Sequence, residues 1–282
     1  MRVLLHAGFH KSGTTSIQAR LLNLDSPSIW YPKPLRLGPG HCVLAHSALS
    51  PNSPDYNPDL LAELADSLEQ SMRRGAPHAT LVLSSECFTT MPELEAIRRL
   101  TDKHSVHLLL TRRPVMEALP SFQQELIKHG SPSEFLSRKG LREAKQHMQF
   151  NAEQILKLIE IGKFSKIQIL STSKKHPEFL FSKFGEILGL DLPPQTLNKS
   201  QSLARTVEMA KLNAVTPHLD VKDRLSRVPS EGLSIGLGER FRLEIVKFFC
   251  TPIWWFHEQR MRLFFRNLAA RGKVTYEASK SK

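Results

Sequence analysis

An α/β fold, with a central parallel sheet flanked by helices, is what this 282-residue sequence predicts. Three observations carry the prediction. Strand-like and helix-like segments alternate along the chain. The strands read as continuous apolar runs rather than as alternating apolar and polar positions, the pattern of strands covered on both faces. Glycine-rich, acidic and basic residues follow those strands directly, at the carboxyl ends where ligands of such sheets bind.

Arg2-Val3-Leu4-Leu5 opens a short buried strand over 2–7. A loop over 8–13 leads into a helix from about Thr14 to Leu24. Residues 25–58 are rich in Pro, Ser, Asn and Gly and form an irregular excursion, with one short helix near His41–Leu49. Leu60, Leu61, Leu64 and Leu68 share one face of a helix over 58–74. "ATLVLSSE" (79–86) is a second buried strand, and a helix covers 92–102. "SVHLLLTRRP" (105–114) is a third strand ending in basic residues, with a helix from about Val115 to His129 directly behind it. Residues 141–162 form a further helix, "SKIQILS" (165–171) a fourth strand, and 176–188 a helix closed by Gly189. A polar tail after Gly272 reads as frayed. The expected organisation is an α/β core over 1–213, with 25–58 lying over its site. A basic, mainly helical C-terminal extension over 214–282 packs on the same domain.

Hydrophobic residues at 40% and charged residues at 23% describe an ordinary globular composition. The chain has no apolar run long enough for a transmembrane helix. The first strand begins at once, leaving no room for a signal peptide. Cys42, Cys87 and Cys250 stand far apart, with neither metal spacing nor a disulfide framework, so a cytoplasmic setting is expected. Lys and Arg number 39 against 27 Asp and Glu, a formal charge of +12, which points to an anionic partner. The last 44 residues, from Glu239, hold ten basic and four acidic residues, so half of the surplus need not belong to the active site.

The most specific stretch is "HAGFHKSGTTSIQARL" (6–21). Gly8 and Gly13 have the spacing of a Walker A phosphate loop, but Thr14 stands where that loop has its lysine, and the lysine has moved to Lys11. The anion cradle survives the move. Gly13 permits close backbone approach, the amides of 12–16 face an anion, and the helix dipole adds about half a positive charge. The hydroxyls of Ser12, Thr14, Thr15 and Ser16 are further donors. A lysine inside the loop sits beside a single phosphate instead of reaching along a triphosphate. A P-loop-like three-layer fold follows.

Lys11-Ser12-Gly13-Thr14-Thr15-Ser16 resembles the 5′-phosphosulfate loop of sulfotransferases that use 3′-phosphoadenosine 5′-phosphosulfate (PAPS), with its pattern K-[ST]-G-T-T-[ST] after an N-terminal strand. The resemblance implies a second site for the 3′-phosphate, built from an Arg at a strand end and a Ser eight residues later on the next helix. Arg113 and Ser121 have that spacing, and Arg112 is the alternative. A guanidinium fork and a helix-borne hydroxyl suit a phosphate on physical grounds too. Ser121–Lys128 is also similar to the bacterial, carbohydrate-sulfotransferase-like branch of the family, although Pro114-Val115-Met116-Glu117 departs from the polar residues that branch often carries. A thinner likeness, Asn198-Lys199-Ser200 before a helix, stands beside plain helix capping by Ser200 or Ser202. Residues 214–282 carry no resemblance.

The implied activity moves a sulfuryl group from PAPS to a hydroxyl or amine acceptor, a small molecule or carbohydrate, leaving 3′,5′-ADP. Lys11 would neutralise the leaving oxygen, and no metal is expected. The acceptor's general base is a His or Glu in this family. Glu86 is the first candidate because it ends the strand 79–86, and His41 in the excursion is the second, with His10 and His46 behind. Two other readings compete. One is a P-loop kinase or NTPase with a deviant loop, which needs an aspartate after a strand and Mg²⁺, whereas the strand ends here give Glu86 and Arg113. The other is a non-catalytic basic binding module, using the basic aromatic stretch 246–273 on a membrane surface or a partner. Nucleic acid is not an expected partner, and the sequence leaves the oligomeric state open.

Overall fold

The computed structural model of the chain describes residues 2–9, 11–33, 36–72, 80–89, 94–133, 135–137, 139–143, 152–173, 176–194, 202–216, 220, 223, 226–228, 234, 243, 255–256, 258–272 and 274–279. In chain order the elements are β1 (Arg2–Gly8), α1 (Thr14–Leu22), β2 (Ile29–Trp30), α2 (Cys42–Leu49), α3 (Leu60–Met72), β3 (Thr80–Ser85), α4 (Leu94–Lys103), β4 (Ser105–Arg112), α5 (Val115–Lys128), α6 (Ala152–Ile161), β5 (Lys166–Ser171), α7 (Pro177–Leu188), α8 (Leu203–Val215) and β6 (Thr275–Ala278). Two compact units divide them. One comprises Met1–Arg113, Phe150–Leu197 and Phe264–Lys282, the other Pro114–Gln149 and Asn198–Leu263.

The first unit carries one sheet in the order β2-β3-β1-β4-β5-β6, with every neighbouring pair parallel. β1 is central and buried along its length after Arg2, as its unbroken apolar run requires. Leu4, Val82, Leu109 and Leu170 from four strands meet Ile17 and Leu21 of α1 and Leu180, Phe181 and Phe184 of α7. Each such side chain contributes about 1.5–3 kcal/mol when buried. α1 has no side-chain cap at its start, so this apolar layer is what seats it.

Three strand readings need correction. The two-residue β2 lies inside the excursion, where its shortness hid it. Glu86 does not end β3; it opens a short 3₁₀ turn, Glu86–Thr89. The tail after Gly272 is not frayed: β6 pairs with β5 from Gln168↔Thr275 to Ser171↔Ala278, and Tyr276 stacks on Phe265 with ring centroids 6.0 Å apart. The last 19 residues therefore group with the sheet, not with a separate extension beginning at 214. The helix expected over 141–162 appears as helical residues 139–143 and as α6, and 144–151 lie outside the described residues.

The second unit packs α5 and α8 around Leu119, Phe122, Ile127, Phe135, Leu136, Val207, Met209 and Ala210. Buried Asn213 of α8 donates to the carbonyls of Ile127 and Ser131 at 2.6 and 2.9 Å, satisfying the C-terminal end of α5. At the other end, the orphan N–H of Val115 donates to the buried carboxylate of Glu258 at 3.0 Å.

Gly13 has φ 95°, and a Cβ there would lie 2.9 Å from Leu180 Cδ2. Gly189, which ends α7 at φ 70°, has open space where a Cβ would go. Both alanine variants bear the left-handed backbone cost of about 1–2 kcal/mol, and Gly13→Ala bears the contact as well. Gly13→Ala is expected to be the less stable of the two in urea denaturation. Equal losses would mean that Leu180 yields without cost.

Candidate functional site

The chain leaves β1 toward β2 and β3 on one side and returns to β4 on the other, so the order of strands reverses at β1. In an open parallel sheet that is where a ligand-binding crevice opens. The loop 9–13 lies at this point. The N–H of Phe9 donates to the carbonyl of Thr111 (2.8 Å), the N–H of Ser12 donates to the carbonyl of Phe9 (3.1 Å), and Lys11 holds φ 65°. The carbonyl of Gly13 accepts from Ser16 and Ile17. Among the described residues, no backbone oxygen meets the N–H groups of Gly13, Thr14 or Thr15, the first amides of α1.

Beneath the loop lies a ring of hydrogen bonds, completed through α1, that sequence reasoning missed. Ser12 Oγ bonds Thr14 Oγ1 at 3.1 Å and Thr111 Oγ1 at 3.0 Å. Thr111 Oγ1 meets His6 Nε2 at 3.0 Å, and His6 Nδ1 meets Ser84 Oγ at 2.8 Å. Gln18 Nε2 donates to Ser84 Oγ at 3.2 Å; Thr14 and Gln18 both stand on α1, so the helix completes the ring, and the Glu86 carboxylate lies near both side chains. Ser12, Thr14, Gln18, Ser84, Thr111 and His6 are buried. Burial takes the His6 pKa down to about 3, so the ring is neutral, with one nitrogen donating and the other accepting. Gly8 belongs here because a Cβ would lie 2.1 Å from Thr14 Oγ1.

This ring divides the hydroxyls expected to face an anion. Ser12 and Thr14 turn inward and hold the loop's shape. Thr15 and Ser16 are the partly exposed pair. A helical-face pattern marks Gln18 as buried, but nothing in the sequence announces its partners.

Glu86 is half-buried at the ring's open side. Desolvation raises its carboxyl pKa, against the opposing pull of its own backbone N–H, the Lys11 ammonium, Gln18 and Thr14. Lys11 and Glu86, expected from sequence as separate participants, are thus brought together. His41 is not placed to act as a base. Its Nδ1 accepts the N–H of Ser84 at 3.1 Å, which fixes the proton on Nε2, and Nε2 donates to the carbonyl of Pro32 at 3.1 Å. Burial lowers its pKa to about 4. The ring has no free lone pair, and its work is to tie the excursion to β3. His46 is exposed on α2, and His10 lies outside the described residues.

Arg112 and Arg113 part company at the end of β4. Arg112 is 1% exposed, with its guanidinium 5.7 Å from the Phe265 ring centroid. Arg113 is partly exposed, and its Nη2 lies 3.9 Å from where a Gly13 Cβ would stand. The first unit therefore gathers the Lys11 ammonium, the Arg113 guanidinium and the α1 amides. Ser121 is partly exposed on α5 of the second unit, so its pairing with Arg113 rests on sequence spacing. Asn198, Lys199 and Ser200 lie outside the described residues, while Ser202 caps α8 by accepting the N–H of Arg205 at 3.2 Å. Within 246–273, Trp255, Phe256 and Leu263 are exposed, and 246–254, 257 and 273 are outside the described residues. Among the described residues, one group of metal-ligand types unseen in the sequence converges, Asp66, Glu69 and His104. There Asp66 pairs with Lys103 at 3.1 Å and with His104 at 3.0 Å, joining α3 to the end of α4.

No family model matches the chain, and no curated protein compared with it is a match.

Proposed function

We propose that the protein is a PAPS-dependent sulfotransferase acting on a hydroxyl or amine acceptor, with carbohydrate as the acceptor class the family likeness favours. The observation that carries this reading is the convergence of a loop lysine, exposed helix-start amides and a strand-end arginine at the reversal point of a parallel sheet. Two cations and several N–H donors fit a ligand with more than one anionic group. PAPS, when bound, supplies an activated sulfuryl group whose transfer leaves 3′,5′-ADP. The α1 amides, Thr15 and Ser16 would hold the 5′-phosphate, and Lys11 would offset charge growing on its bridging oxygen. Glu86 would take the acceptor's proton as the new bond to sulfur forms. Arg113, and Ser121 by its spacing, would hold the 3′-phosphate.

A second reading has its own observation. The carboxylate of Glu86 lies close to the loop, and a loop hydroxyl, here Thr15, with a nearby carboxylate is how a phosphate loop holds Mg²⁺ in a nucleotide kinase or NTPase. Against it, position 14 lacks the lysine that reaches along a triphosphate, and the carboxylate is a Glu in a 3₁₀ turn where such a loop pairs with an Asp.

Calorimetry with 3′,5′-ADP, 5′-AMP and Mg²⁺-ATP separates the two. The sulfotransferase reading expects 3′,5′-ADP to bind more tightly than 5′-AMP. Arg113→Ala should weaken 3′,5′-ADP by about tenfold or more and leave 5′-AMP nearly unchanged. Because Arg113 stands close to Gly13, a parallel loss for both nucleotides would assign it to the loop's own anion. A preference for Mg²⁺-ATP would replace the proposal with the kinase reading.

A further inference from the structure

Cys42 and Cys87, distant in sequence, meet in the fold. Cys42 is the first residue of α2, and Cys87 is the second residue of the 3₁₀ turn that begins at Glu86. Ser85 Oγ joins them: it accepts the Cys87 N–H at 3.1 Å and donates to Cys42 Sγ at 3.4 Å. The two thiols are close enough for each to shift the other's titration. His46 Nε2, one turn along α2, stands 3.9 Å from Cys87 Sγ. Both cysteines are half-exposed, unlike inert structural cysteines sealed in apolar cores.

We propose that Cys42 and Cys87 are a reactive dithiol, in which Cys42 attacks a small-molecule disulfide of the glutathione class and Cys87 resolves the product into an intramolecular disulfide. In the first step the Cys42 thiolate forms a bond to one sulfur of the reagent, whose other sulfur leaves as a thiolate. In the second, Cys87 gives up its proton, with His46 in reach to take it, and its sulfur attacks Cys42. The second small thiol is expelled. The protein loses two hydrogens and two electrons, and the reagent disulfide is reduced to two thiols.

The assignment of attacker and resolver follows from geometry. Cys42 occupies a helix start, whose dipole favours a thiolate, and it accepts a hydrogen bond from the Ser85 hydroxyl, while Cys87 Sγ faces His46. The neighbouring Cys87 thiol, first in effect, and the Ser85 hydroxyl bring the Cys42 pKa down to about 6, against burial and the nearby Glu86 carboxylate. The same partnership and burial push the Cys87 thiol up. A low-pKa thiol with a second thiol in contact is the arrangement thiol–disulfide exchange uses. The proposal does not depend on which nucleotide the loop binds.

Cys250, outside the described residues, is replaced in Cys250→Ser protein so that only this pair reports. That protein is treated with oxidised glutathione and followed by intact mass and peptide mapping. Expected is a species lighter by two hydrogens, with the Cys42 and Cys87 peptides linked. Adding Cys87→Ser should stop the reaction at one glutathione on Cys42. Adding Cys42→Ser should slow attachment at Cys87 by about tenfold or more. Circular dichroism checks that each variant is folded, and iodoacetamide labelling of otherwise unaltered protein should mark Cys42 before Cys87. Stable adducts on both cysteines without a link, or faster labelling of Cys87, would overturn the proposal.

Discussion

Lys11→Ala is expected to lower the rate of sulfuryl transfer by about 10²–10³-fold while changing 3′,5′-ADP affinity only a few-fold. The size is that of losing one preorganised donor to a developing oxyanion. The asymmetry comes from where the charge is. Negative charge on the 5′-phosphate oxygen is larger in the transition state than in the bound ground state, so a group aimed at it affects turnover more than binding. Two features of the loop suit Lys11 to this work. It takes the left-handed backbone conformation (φ 65°) at the tip of the turn, and it stands beside Glu86 at the open side of the polar ring. The second feature gives a further readout. The ammonium is one of the influences holding the Glu86 carboxyl down, so its removal lets that pKa climb further. If ionised Glu86 is the base, the acid limb of the rate profile should move to higher pH in Lys11→Ala. Rapid-quench transfer assays across pH and calorimetry with 3′,5′-ADP test both parts. Near-normal turnover would remove Lys11 from leaving-group stabilisation.

The sheet was legible in the sequence because its central strands are apolar on both faces, a pattern no exposed segment shares. Its edges were not. β2 has two residues, too few for any periodicity, and β6 has the polar composition Thr275-Tyr276-Glu277-Ala278, stabilised by partners the local sequence does not contain. One is Phe265 under Tyr276; the others are Gln168 and Lys183 around Glu277. At the site, the glycine spacing and Lys11 could be read because backbone approach and a loop cation are local demands. The hydrogen-bonded ring could not. It joins β1, α1, β3 and β4, and only the register that sets His6 beside Ser84 on one strand and near Thr111 on the other creates it. His41 shows the same limit from the other side. A histidine in a polar excursion reads as available for chemistry, and only its two backbone partners reveal that it is spoken for.

Glu86→Gln is expected to cut transfer by about 10²–10⁴-fold, the range for loss of a positioned general base, with 3′,5′-ADP affinity unchanged or slightly improved. Binding should not suffer because the carboxylate faces Lys11 and opposes an anion in the loop; removing its charge relieves that opposition. The fold should not suffer either. Glutamine has the same shape, and the ring's hydrogen bonds do not run through this side chain. The pH dependence gives the sharper test. Desolvation raises the carboxyl pKa of Glu86, and a base works only when ionised. Wild-type transfer should therefore rise with pH through a limb above the ordinary glutamate range, and residual transfer in Glu86→Gln should lack that limb. The kinase reading expects something different from this variant. If the carboxylate and a loop hydroxyl hold Mg²⁺, Glu86→Gln should weaken Mg²⁺-ATP binding, an effect a general base has no reason to show. His41 offers no substitute base, since both its nitrogens are committed to backbone groups. Full activity in Glu86→Gln would thus mean that the acceptor needs no base from these residues. The account of the acceptor side would then fail, while the loop and Arg113 would still stand on nucleotide binding.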